Sequence, residues 1–194
     1  DYAFYGCKNL RTIEIPESVM HIGKSAFAMC SSLASLTVPS GIDTIGDNAF
    51  AQTPWYNDLV FHRDLIIFNG RLYDAGNRCA GEVIVPDHVV SVSNYAFYSC
   101  ADITAVVLPE SVQSIGQCAF RDCPKLKAVV ITNPDCKIFA DTSTFSNKKY
   151  IGDEDYFKGT IYGEKDSKVS KFAKKYNYDF DETAEYSPES SKKK

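Results

Sequence analysis

The residues of this 194-residue chain that could form covalent bonds or hold a metal are three histidines, His21, His62 and His88, and seven cysteines. The histidines are scattered, and no HExxH, GxSxG, phosphate-cradling GxxxxGK or Gly-rich dinucleotide pattern surrounds any of them. No CxxC or Cys/His spacing suggests zinc. The cysteines are more regular, because Cys7 and Cys30 are 23 residues apart and so are Cys100 and Cys123. If each such step advances the chain by one strand, adjacent thiols stand about 4.8 Å apart on parallel Cα–Cβ vectors. A disulfide needs Cβ atoms about 3.8 Å apart and facing each other. The expectation is therefore small, unpaired, buried thiols packing a turn at Cys7, Cys30, Cys100 and Cys123. Cys79, Cys118 and Cys136 fall off that position, and the odd total leaves at least one thiol unpaired. Asp153-Glu154-Asp155 lacks the alternating ligand spacing of a calcium loop and reads as a solvated loop. Trp55, beside Pro54, reads as packing at a turn rather than as a ligand-stacking platform. The chain is expected to be no enzyme, with no metal and no cofactor.

The same step governs the residues that would have to position any site. Ala-Phe occurs at Ala3-Phe4, Ala26-Phe27, Ala49-Phe50, Ala96-Phe97 and Ala119-Phe120, with Phe-to-Phe steps of 23, 23, 47 and 23. The unit is L-x-x-(V/I)-x-(I/L/V)-P-x-S-V-x-x-I-G-x-x-A-F-x-x-C. A fixed period of this size is the mark of a stacked repeat, in which no unit can bury its apolar face alone. Leu10, Ile13 and Ile15 predict a short strand ended by Pro16, and Val19 to Ile22 a second extended piece before Gly23. Phe4, Phe27, Phe50, Tyr73, Phe97 and Phe120 should form one buried aromatic row.

The step of 47 hides a degenerate repeat at about 51–73. Adding 23 maps Leu33, Leu36 and Val38 onto Tyr56, Leu59 and Phe61. It maps Ile42 and Ile45 onto Leu65 and Phe68, and Ala49 and Phe50 onto Leu72 and Tyr73. One extra residue then falls within Asp74 to Glu82, a stretch containing Gly76 and Gly81. Past Phe120 the pattern decays, with one more strand at Leu126, Val129 and Ile131. Ser167 to Tyr178 reads as an amphipathic helix capped by Ser167, with Val169, Phe172, Ala173 and Tyr176 on one face. Laid over the last coil, it would close the stack.

The expected fold is a leucine-rich-repeat-like, β-rich solenoid, a right-handed superhelix of ~23-residue repeats with a parallel sheet and a C-terminal capping helix. Its organisation is a solenoid over 1–163, a capping helix and strand over 164–180, and a disordered tail or linker over 181–194. A net charge of −4 and a pI of 5.4, with no basic stripe, argue against nucleic-acid partners. The longest apolar runs are strand length, so no membrane insertion is expected. The chain lacks an initiator Met and a leader and starts within a repeat, which reads as a trimmed or processed fragment.

The repeat, with its I-P-x-S-V, I-G-x-x-A-F and trailing Cys, resembles the BspA-type leucine-rich repeats of bacterial surface proteins over roughly Ala3 to Phe180. Pro54-Trp55-Tyr56, Asn69 to Tyr73, and Thr160-Ile161-Tyr162-Gly163 followed by a Lys-rich helix also resemble recurrent features of that family. The resemblance implies a secreted or surface-exposed bacterial protein that adheres to host matrix proteins or to another bacterial surface protein. It carries no residue-level binding motif. The repeat itself points to one candidate surface. The outward residue between the last two core positions of the first strand runs Glu14, Thr37, Val60, Ile84, Val107 and Val130. Its last four members are apolar at positions that should face solvent, where a contiguous apolar patch marks an interaction site. Val60, Ile84, Val107 and Val130 are thus the candidate binding residues for a protein ligand. The other possibilities are apolar side chains that are covered or merely favour strand formation, a structural spacer presenting another domain, and a carbohydrate-recognising accessory domain.

Overall fold

The computed structural model describes residues 1–147 and 156–186, and the chain divides into two compact units, residues 1–69 with 76–78, and residues 70–75 with those that follow 78. The first unit contains β1 (Thr12–Glu14), β2 (His21–Ile22), β3 (Ser35–Thr37), β4 (Thr44–Ile45), α1 (Pro54–His62) and β5 (Leu65–Phe68). The pairs β1–β3 and β2–β4 are parallel, with Ile13 opposite Leu36 and Ile22 opposite Ile45. One coil thus advances the chain by the sequence period. Phe4, Phe27 and Phe50 stack, at centroid separations of 5.1 and 6.0 Å with planes 4° and 11° apart. Phe50 also meets Trp55 edge-on at 5.0 Å.

The second unit begins with β6 (Arg71–Ala75), β7 (Gly81–Ile84), β8 (Ser91–Val92), β9 (Ile103–Leu108) and β10 (Ser114–Ile115). It continues with β11 (Ala128–Ile131), β12 (Lys137–Ile138), β13 (Thr160–Gly163), α2 (Lys168–Lys175) and β14 (Asp179–Glu182). One parallel sheet runs β14-β13-β11-β9-β7, and a second row runs β12-β10-β8-β6. Val83, Val106, Val129, Ile161 and Phe180 form one rank across the first sheet. Leu72, Val92, Ile115 and Ile138 form the corresponding rank across the second row. Phe97, Phe120 and Phe145 stack at 5.0 and 5.2 Å. The row ends against Phe172 of α2, edge-on to Phe145 at 5.9 Å. Ser167 caps α2 by accepting a hydrogen bond from the Ser170 amide at 3.1 Å. Val169, Phe172 and Ala173 are buried, so α2 seals the last coil as expected.

The turn that carries each Ala-Phe has a backbone feature invisible in the hydropathy pattern. Ser25 and Met29, Asn48 and Gln52, Tyr95 and Ser99, and Cys118 and Asp122 all take positive φ. This left-handed backbone costs energy for a residue with a Cβ. It also aims the amide along the stack, so that Met29 N donates to Ala51 O and Ser99 N to Arg121 O, both at 2.9 Å. Coil-to-coil hydrogen bonds offset the local strain. The glycine of Ile-Gly is steric instead, because a Cβ on Gly116 would stand 2.5 Å from the Asn94 amide nitrogen of the preceding coil.

Several sequence expectations are corrected here. The segment mapped as a strand through Tyr56, Leu59 and Phe61 is the helix α1. Thr53 accepts a hydrogen bond from the Tyr56 amide at 3.1 Å and Pro54 occupies the first turn. A capping Thr followed by Pro is a helix-start signal that overrides the matching of apolar positions. Tyr73, expected in the buried aromatic row, is only half-buried. Leu72 pairs with Val92, and it is the Ala75 amide that donates to Ala96 O, as the Phe97 amide donates to Ala119 O. Phe4, at the end of its row, is 39% exposed and not buried.

Residues 153–155 and 187–194 lie outside the described part of the chain. Glu182 to Tyr186, expected to be part of a disordered tail, are ordered. Glu182 closes β14, and Thr183–Glu185 form a 3₁₀ turn leading to Tyr186.

Candidate functional site

A first strand that alternates inward and outward side chains produces two outward columns. In the second unit one column is Glu82, Ala105, Ala128, Thr160 and Asp179, and the other is Ile84, Val107, Val130, Tyr162 and Asp181. In the first unit the equivalent positions, Thr12 with Ser35 and Glu14 with Thr37, are polar and exposed. Of the four candidates, Val60 is not in the column at all, because it lies on α1. Ile84 is 70% exposed and Val107 is half-buried. Val130 is only 2% exposed, although its strand position points outward.

The chain's own C-terminal segment reaches this face. The Tyr186 ring stands edge-on to Tyr162 at 5.1 Å and 65°. Its hydroxyl donates to Glu82 Oε1 at 2.6 Å, across 104 residues of sequence. Tyr162 is on β13 and Glu82 on β7, so a side chain that touches both must cross β11 and β9, which lie between them. Those two strands present Ala128, Val130, Ala105 and Val107 to the crossing ring. The alanines leave room for it, and with Val130 they are buried. Burial, then the hydrogen bond and charge of Glu82, then Tyr162, push the Tyr186 phenol well above its ordinary value of 10. It is therefore a neutral donor facing a carboxylate, a strong hydrogen-bond type. Composition hid this contact, since the segment is polar. The one signal was a lone aromatic within it.

His21 Nδ1 lies 2.8 Å from Thr44 Oγ1, and His62 Nδ1 lies 3.1 Å from Asp58 on α1, both exposed. Among the described residues, no grouping of three or more His, Cys, Asp and Glu could hold a metal ion. No described helix is long and apolar enough to cross a membrane. No disulfide joins the cysteines. Cys30 and Cys123 are buried, and their thiols donate to Phe4 O and Phe97 O of the preceding coil, each at 3.0 Å. Burial pushes the Cys123 thiol up to about 12. Cys7 and Cys100 depart from the expected burial, because Cys7 is exposed and Cys100 half-buried. In the first coil Phe4, Ile13, Ile15, Val19, Ile22 and Phe27 line an open apolar trough of about 300 Å³.

The model of the BspA type leucine rich repeat region matches residues 1–79 and 76–156, in 6 copies. No curated protein shows significant sequence similarity to the chain. Among solved structures, a leucine rich cell surface protein of Faecalibacterium prausnitzii A2-165 shares 18% identity with a TM-score of 0.43, over 97% of this chain and 64% of that one. A leucine-rich repeat protein of Bacteroides ovatus ATCC 8483 shares 18% identity with a TM-score of 0.38, over 84% and 51%. The pneumococcal vaccine antigen PcpA shares 18% identity with a TM-score of 0.36, over 88% and 67%. The chain thus spans about two thirds and about half of the length of the first two proteins.

Proposed function

We propose, from the fact that this chain belongs to the BspA type leucine rich repeat family, that it is a non-catalytic protein-binding module of an exported bacterial surface protein. Its partner is a host matrix protein or another bacterial surface protein. The reading rests on one observation. The outward side of the second unit's sheet is apolar at Ile84, Ala105, Val107, Ala128 and Val130, where a soluble sheet face is ordinarily polar, with Ile84 70% exposed beside Val107. Apolar side chains held on adjacent parallel strands are a rigid array, and rigid contacts lose little conformational entropy on binding. Ile84 on β7 is the accessible part, because Val107 is half-buried and Val130 buried.

The test is a binding screen of the full chain against extracellular matrix proteins and bacterial surface proteins, read by biolayer interferometry. Ile84→Lys and Val107→Lys should each leave the circular dichroism spectrum unchanged and weaken a captured partner at least about tenfold, or 1.4 kcal/mol. Affinity unchanged in both variants would remove this face from consideration. Val130→Lys is not a suitable probe, because it would bury an ammonium group.

A further inference from the structure

Tyr186 does more than shield a few apolar atoms, because its two ends are held by different chemistry. The ring meets Tyr162 edge-on, and the hydroxyl reaches the Glu82 carboxylate at 2.6 Å. Ala105, Val107, Ala128 and Val130 are positioned between those anchors by strand register alone. A purely apolar cover would not need a carboxylate at its far end. In solvent that carboxylate would stay hydrated, and here it is matched to one phenolic hydroxyl.

We propose that this face is a docking site for a tyrosine presented on a short peptide segment, and that Tyr186 fills it in cis as a built-in competitor of a tyrosine-bearing partner. The inference rests on the protein-binding reading and adds the chemistry of the ligand. The chain's own segment supplies the template. A single 3₁₀ turn, Thr183–Glu185, brings the tyrosine onto the face directly after β14. The face distinguishes tyrosine from phenylalanine by the Glu82 hydrogen bond. A tethered ligand acts at an effective concentration of about millimolar, so a weak cis contact suffices to hold the site closed against dilute competitors.

The experiment titrates an acetylated peptide copying residues 182–189 into the full chain and into Tyr186→Ala, following amide shifts by NMR. Saturable shifts on β7, β9, β11 and β13 are expected in Tyr186→Ala, with affinity at least about tenfold weaker for the unaltered chain. A peptide carrying Phe in place of Tyr should bind several-fold more weakly, as should the unaltered peptide to the double variant Tyr186→Ala with Glu82→Gln. Tyr186→Phe, which keeps the ring, should stay closed but admit the peptide more readily than the unaltered chain does. Absence of binding to Tyr186→Ala at about 5 mM peptide would overturn the proposal, as would equal affinity for the open and closed chains. So would equal binding of a peptide with Ala at the tyrosine position. The protein-binding reading fails separately. A partner that is still lost with Ile84→Lys or Val107→Lys keeps that reading even if the peptide does not bind.

Discussion

Truncating Phe120 to Ala tests the aromatic row where it is most completely packed. Phe120 is fully buried, between Phe97 at 5.0 Å and 13° and Phe145 at 5.2 Å and 4°. Removing the ring takes on the order of 120 Å² of apolar surface out of the core, about 3 kcal/mol at 25 cal/mol per Å². The flanking backbones are tied by coil-to-coil bonds, Phe120 N to Thr144 O at 2.9 Å and Phe97 N to Ala119 O at 2.8 Å. The space therefore cannot close, and the cavity keeps the total in the range of about 3 to 5 kcal/mol. Phe120→Leu fills most of the volume but loses two ring contacts, so about 1 to 2 kcal/mol is expected. Phe4→Ala, at a row end with the ring partly exposed, should cost about half of the Phe120→Ala value or less. Urea unfolding followed by far-UV circular dichroism reads all three. The reasoning is refuted if Phe120→Ala costs under about 1.5 kcal/mol, or if Phe4→Ala costs as much as Phe120→Ala.

Two further outcomes follow from the turns. Thiol titration of the native protein should show Cys7 reacting first and Cys100 slowly, with Cys30, Cys79, Cys118, Cys123 and Cys136 reacting only on unfolding. Raising the pH to 9 should not release Cys123, whose thiol burial holds near 12, and rapid modification there would contradict its placement. Ser99→Gly should raise stability by about 0.5 to 1 kcal/mol, because Ser99 holds φ at 58° where Gly6 serves the first coil. Ser99→Val should lower the urea midpoint, and a gain from valine would show that the turn is not left-handed in solution.

The coil and its step were legible in the chain from the start. The Ala-Phe period predicted Ile13 opposite Leu36 and Val106 opposite Val129, since a repeated unit must pair with itself at the same offset. The cap was legible too, because Ser167 and the Val169, Phe172, Ala173 spacing are local signals that need no tertiary partner. Within the degenerate repeat the stretch through Tyr56, Leu59 and Phe61 was misread, because hydrophobicity alone does not distinguish a strand from a helix over so few residues. Thr53-Pro54 carried the distinguishing signal, and it places Val60 on a helix. The state of the outward columns could not be read at all from Ile84, Val107 and Val130, which are the same kind of residue at the same repeat position. Their exposure differs, with Ile84 on the edge strand β7 and Tyr186 returning across 104 residues to Glu82 on the same face. Local pattern determines which way a side chain points, whereas whether anything lies in front of it is decided by contacts distant in sequence, and those exist only once the chain has folded.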